Sequence, residues 1–263
     1  MTLRENLTYL FSDAGVDALR TFVDSTTILA FDLDGTLAPI VADPGRMRVS
    51  NAIQEELLKL MEQTTVAVIT GRSRSNAQEH LGMKPHCLIG NHGAEGLPGR
   101  EAYEAEYLML ANNWERQLHG LLDSANGAGI VIENKGATVS VHYRASCDRA
   151  ATRSQVLSVI ELLSPPPRTM SGKCVEDLVP ATAPNKGDAL LYLMKHLGYP
   201  KGFYIGDDKT DEDVFRLAGE QLFTVRVGTA GPSRAGYALR SQKEVHGLLK
   251  DIANLFVHHK TKR

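Results

Sequence analysis

Asp32 and Asp34 stand two positions apart in FDLDGT (residues 31–36), at the end of an apolar run and just before a glycine and a threonine. Two carboxylates delivered to one spot repel each other and lose hydration, so a divalent cation is their natural compensation. An oxygen-only donor set with incomplete protein coordination suits Mg2+. A third carboxylate is available from GDDKTDED (206–213), where Asp207 and Asp208 follow another apolar run. Two further segments carry groups that can hold an anion. ITGR (69–72) offers the Thr70 hydroxyl and a turn at Gly71, and NKG (185–187) offers the Lys186 ammonium at a helix start. Charge and backbone N–H groups favour an anion together at such a start. A lone DxD pair would as readily cap a helix, and a lone lysine would as readily sit on the surface. Coincidence of four segments points instead to phosphoryl chemistry around a cation.

These groups need a scaffold that brings strand ends together. The runs 28–33, 65–70, 87–90, 203–206 and 222–227 are short and nearly continuously apolar, as strands buried on both faces are. Between them, Ile53, Leu57, Leu60 and Met61 share a helix face behind a Ser50 cap, and Leu190, Leu193, Met194 and Leu197 do so behind Asn185. Gly198 and Pro200 stop the second helix. Alternation of this kind predicts an α/β fold, a doubly wound, mostly parallel, Rossmann-like core sheet covered by helices. Asp32, Asp34, Thr70, Asp207 and Asp208 all fall at predicted carboxyl ends of its strands, where ligands gather. The middle of the chain differs. ATVSVHYR (137–144) alternates, with Val139, Val141 and Tyr143 on one face and Thr138, Ser140, His142 and Arg144 on a face expected to be open to solvent. Turn-rich stretches at 97–101 and 179–187 bracket this region. The predicted organisation is a core of residues 1–98 and 182–263 interrupted by an α+β cap at 99–181.

Composition narrows the partners. Lys plus Arg number 29 against 31 for Asp plus Glu, a formal net charge of −2, so no global field recruits nucleic acid or an anionic membrane. HHKTKR at the end reads as a solvated tail. Three cysteines, Cys87, Cys147 and Cys174, lack CxxC spacing and are expected as reduced thiols. Charges interrupt the first 20 residues, and no apolar run reaches spanning length. A cytoplasmic monomer acting on a small molecule is the expectation.

The succession FDLDGT, ITGR, NKG and GDDKTDE resembles the haloacid dehalogenase superfamily of phosphotransferases over residues 26–98 and 182–228. What the resemblance implies is a covalent mechanism with Asp32 as nucleophile and Asp34 as acid and base. It further implies Mg2+ held by the Asp32 carboxylate, the Asp34 main-chain carbonyl and Asp207. Thr70 and Lys186 would hold phosphoryl oxygens, with Asp211 and Asp208 orienting Lys186 or a metal-bound water from behind. GNHGAE (90–95) and IVIENKGATVSVHYR (130–144), with the GDDKTDE spelling, resemble the trehalose-6-phosphate phosphatases over nearly the whole chain. That likeness implies sugar contacts from Glu133, Lys135, His142 and Arg144 in the cap, with Gly71, Arg72 and His92 on the substrate at the core. One departure stands out. Where that family carries a glutamate followed by L-R-P, this chain has KCVEDLVP (173–180), putting the shorter Asp177 in the glutamate's place and Val179 in the arginine's. A related disaccharide phosphate or glucosyl-polyol phosphate therefore stays open beside trehalose 6-phosphate. Two readings of another class are a phospho-switch of the receiver-domain kind and a non-turnover sugar-phosphate sensor. Asp34, which a switch does not need, and the large insertion favour turnover over the first. The complete catalytic set disfavours the second.

Overall fold

The computed structural model describes residues 7–41, 43–122, 129–217, 219–229 and 231–261. In chain order its elements are β1 (Thr8–Tyr9), α1 (Asp13–Phe22), β2 (Thr27–Phe31), α2 (Asn51–Met61), β3 (Val66–Ile69), α3 (Arg74–Leu81), β4 (Cys87–Ile89), α4 (Glu101–Leu122), β5 (Val131–Asn134), β6 (Val139–His142), α5 (Arg149–Ile160), β7 (Arg168–Gly172), β8 (Val175–Val179), α6 (Lys186–Leu197), β9 (Lys201–Gly206), α7 (Glu212–Phe215), β10 (Leu222–Val227), β11 (Tyr237–Leu239) and α8 (Val245–Thr261). The first six residues of the leading segment, and the side chains of the expected tail at 258–263, lie outside the described residues.

The chain forms two compact units, Met1–Gly93 with Pro184–Arg263, and Ala94–Ala183. Their boundaries fall after Gly93 and Ala183, rather than at the predicted 98/99 and 181/182. In the first unit seven strands pair in the order β1-β11-β10-β9-β2-β3-β4, every pair parallel. Every residue of β2 and β3 is buried, because helices cover both faces; this is the physical origin of their unbroken apolar runs. Leu29, Phe31, Phe203 and Ile205 of the sheet pack with Leu57 of α2 and Leu248 and Ile252 of α8 in one core. Ser50 caps α2 through Ile53 N–H, and Asn185 caps α6 through Asp188 N–H within a reciprocal capping box. Where the chain leaves this unit, Gly93 has φ of 124°, and a Cβ there would meet Asn185 O at 2.8 Å and Pro184 O at 2.9 Å. Only glycine meets both demands.

The second unit is a four-stranded antiparallel sheet, β5-β6-β8-β7, backed by α4 and α5. Trp114 and Leu118 of α4 and Val156 and Ile160 of α5 pack on Val139, Val141 and Leu178. Thr138 and Ser140, expected to face solvent, are instead buried at 1% and 0% exposure. Ser140 lies opposite Glu133 on one neighbouring strand and Asp177 on the other, and its hydroxyl donates to Asp177 Oδ1. The polar face is closed at Thr138 and Ser140, while Glu133 and His142 on it stay part-exposed. Lys173 and Cys174 form the tight connection between β7 and β8, where Gly172 pairs with Val175; Cys174 sits in the left-handed region at φ 61°.

Candidate active site

Asp32 is the first residue past β2, and its N–H donates 2.9 Å to Ile205 O, extending the β2–β9 ladder by one step. Its carboxyl is thereby presented at the carboxyl ends of two central strands, 4% exposed. Lys186 opens α6, and its Nζ donates 2.7 Å to Asp32 Oδ1 and 2.7 Å to Asp211 Oδ1. Asp211 is fully buried and takes two further bonds, from Tyr204 OH to Oδ1 at 2.7 Å and from the Asp208 N–H to Oδ2 at 2.8 Å. Gly206 makes room for it, since a Cβ there would lie 2.2 Å from Asp211 Cγ. Asp208 thus meets Asp211 through its main chain.

Burial pushes the Asp32 carboxyl well above the usual carboxylate range; Lys186 opposes the shift, and Asp211 and Asp207 add to it. For Lys186, burial works against the charge, yet Asp211 and Asp32 more than offset it and hold the ammonium above its ordinary pKa. Burial, then Asp211 and Asp32, raise the Tyr204 phenol well above its ordinary value, so its proton stays on as a donor. Asp207 is pushed up to about 7 by burial and by the neighbouring Asp211 and Asp208.

Asp32, Asp207 and Asp211 each bring one oxygen within 4.8 Å of the others. Asp207 Oδ1 is buried without a hydrogen-bond partner among the described residues, and the Asp207 carboxyl leans on the loop after Asp34, where Gly35, at φ 79°, would otherwise set a Cβ 2.1 Å from Asp207 Oδ2. A bare, crowded oxygen among like charges is the environment that a hard divalent cation relieves, so these residues fit one. Asp211, expected only behind the ligands, belongs to this carboxylate cluster as well.

Asp34 is occupied differently. Arg72 Nε donates 2.7 Å to its Oδ2 and Nη2 donates 2.6 Å to its Oδ1, a bidentate fork, while Nη1 donates 2.7 Å to Asn76 Oδ1 of α3. Arg72, expected on the substrate, is here the partner of the expected acid/base. Thr70 is 1% exposed and its hydroxyl accepts the Arg72 N–H at 3.2 Å. Its carbonyl accepts the His92 N–H at 2.9 Å. Asn91 and His92 both take left-handed φ, 50° and 59°, and the His92 ring lies on Gly71, where a Cβ would come within 2.4 Å of it. Thr70, Gly71, Arg72 and His92 therefore form one knot at the end of β3.

In the inserted unit the predicted cap residues meet in pairs. His142 Nε2 and Glu133 Oε2 are 2.8 Å apart, and Lys135 Nζ donates 3.1 Å to Asp177 Oδ1, the oxygen that also accepts Ser140. The His142 bond, reinforced by Lys135, holds the Glu133 carboxyl below its ordinary pKa against the effect of burial. Arg144 stands apart, exposed, with a long 3.5 Å bond from Nη2 to Lys173 O. Glu176 turns to the helix side of the sheet and is fully buried, accepting Tyr143 OH, Arg153 Nε and Ser171 Oγ. Tyr204 and Ser140 are the polar residues that pattern reading missed. For Tyr204 the available signal was parity, since it shares a face of β9 with Gly206 below the GDD turn.

Comparison with known proteins supplies the family. A family model described as trehalose-phosphatase matches residues 30–244. A probable trehalose-phosphate phosphatase of Sinorhizobium fredii is 31% identical over 251 residues, covering 91% of this chain and 92% of the relative. A trehalose 6-phosphate phosphatase of Zea mays is 28% identical over 254 residues, 86% of this chain and 70% of the relative. The solved C-terminal domain of the Candida albicans trehalose-6-phosphate phosphatase superposes with a TM-score of 0.73 at 20% identity, covering 95% of this chain and 98% of that one, and so shares the fold. With the carboxylate cluster at the strand ends, the Lys186 bridge and a family match spanning both units, the chain belongs to the trehalose-phosphatase family.

Proposed function

We propose that the chain is a Mg2+-dependent phosphatase that hydrolyses trehalose 6-phosphate to trehalose and phosphate, acting as a cytoplasmic monomer. The observation that carries the reading is the buried Lys186 bridge between Asp32 and Asp211 in a chain of this family. Asp32, Asp207 and the Asp34 carbonyl would hold Mg2+, which when bound supplies charge to offset the approach of one anion to another. Asp32 attacks phosphorus, forming an O–P bond as the bond to the sugar oxygen breaks. Asp34 gives its proton to the departing alkoxide, and Arg72, which forks its two carboxyl oxygens, sets where that carboxyl stands. In the second half Asp34 takes a proton from water, whose oxygen displaces Asp32 from phosphorus. Lys186 and Thr70 hold the phosphoryl oxygens where negative charge grows.

Sugar recognition falls to the inserted unit. Glu133 with His142, and Lys135, offer charged partners to hydroxyls. Asp177 works through Lys135, its oxygen being committed to Lys135 and Ser140. A shorter acid at this position favours the related disaccharide or glucosyl-polyol phosphate as second reading.

Phosphate release from trehalose 6-phosphate, glucose 6-phosphate, sucrose 6-phosphate and glucosylglycerol phosphate, with Mg2+ or with EDTA and with Asp32→Asn as blank, tests the proposal. Mg2+-dependent turnover led by trehalose 6-phosphate is expected. Preference for another member moves the assignment to the second reading, and no turnover of any above the blank sinks the phosphatase.

A further inference from the structure

We propose that Tyr204 is a positioning residue for this reaction, which by sharing Asp211 Oδ1 with Lys186 fixes where the ammonium stands against Asp32. The inference rests on the phosphatase reading of Lys186. A lysine head is a point charge on a flexible stem, and nothing in its own chemistry selects one direction. At 2.7 Å from both Asp32 Oδ1 and Asp211 Oδ1, this one stands only as firmly as its two acceptors. Asp32 is tied into the β2–β9 ladder, whereas Asp211 lies past the strand end and its side chain needs other restraint. The Asp208 N–H restrains Oδ2, and the space at Gly206 receives the carboxyl from below. Tyr204 alone of these acts on the oxygen that the lysine uses. An oxygen accepting two protons must give each its own lone-pair direction, so the phenol's position dictates the ammonium's. The phenol itself has nowhere to go: Tyr204 is fully buried within a central strand and stands edge-on to Phe215, ring centroids 6.1 Å apart at 67°.

An ammonium held in this way has a proton left for a phosphoryl oxygen. Its placement should matter more as charge develops than while substrate merely sits in the site. Tyr204→Phe removes one oxygen and leaves the ring in place. On the full chain with Mg2+ and trehalose 6-phosphate, the expected result is a loss of about 10- to 100-fold in kcat with KM held within about twofold. The Lys186 ammonium resonance in spectra of 15N-lysine-labelled protein, assigned by its disappearance in Lys186→Met, should shift and exchange faster with water. Should Tyr204→Phe not fold, the wild-type tyrosine hydroxyl serves instead: a slowly exchanging Tyr204 proton should move in Lys186→Met. An unchanged kcat, a loss confined to KM, or a lysine or phenol resonance indifferent to its partner overturns the proposal. Wild-type protein that releases no phosphate would instead overturn the phosphatase reading, and the two resonances would still judge the tether.

Discussion

Asp207 carries the clearest consequence at the scale of single residues. Its folded-state pKa of about 7 lies above the unfolded value, so the folded chain binds this proton more tightly than the unfolded one. The stabilisation from that proton is complete below about pH 4 and fades as pH rises toward 7. Asp32, also raised by burial, works in the same direction. A divalent cation takes the proton's place, so added Mg2+ should raise the urea midpoint more at about pH 8 than at about pH 5, relative to EDTA at each. Equal shifts at both would mean that the ion binds somewhere other than this cluster. Some of the site was legible from types and spacing: two acids at a strand end, a lysine at a helix start, a GDD turn. The partners of those residues were not. Arg72 reaches Asp34 from the turn after β3, and no local period announces such a pairing. Tyr204 hides in an apolar run where a tyrosine reads as filler.

Elements obey the same division between local signal and distant cause. Strands β2, β3, β9 and β10 stood out because burial on both faces leaves only apolar residues acceptable, and α2 and α6 because caps and spacing agree. Two-residue β1 and three-residue β11 exist because a neighbouring edge offers hydrogen bonds, a cause outside their own sequence. Ser140 was misread for a related reason, since alternation predicts two faces but not what covers the second. The β7–β8 turn offers a test at this scale. Cys174 holds φ 61°, which costs an L-residue roughly 1–2 kcal/mol, while glycine there costs only its greater freedom when unfolded. Cys174→Gly should therefore stabilise the chain by about 0.5–1 kcal/mol, seen as a higher melting temperature. A lower one would mean that the thiol's packing outweighs its backbone.

Across the whole molecule, the groups proposed to react and those proposed to read the sugar belong to separate compact units: Asp32, Asp34 and Lys186 to one, Glu133, Lys135 and Asp177 to the other. Asp177→Ala leaves Lys135 without that partner and uncovers Ser140, so kcat/KM should fall by about tenfold or more for trehalose 6-phosphate and by less for a small aryl phosphate. Equal losses would assign Asp177 to the fold rather than to the sugar. Gly93 adds a consequence of another kind. Its backbone lies against Pro184 and Asn185, so the chain departs from the core and re-enters it at one point. Seen from the core, Ala94–Ala183 is a loop whose ends already touch, and about three glycines would close the gap. An insertion of that geometry can be lengthened, traded or deleted without shifting a strand. Ancestry of the chemistry and ancestry of the specificity are then free to be different histories written in one chain.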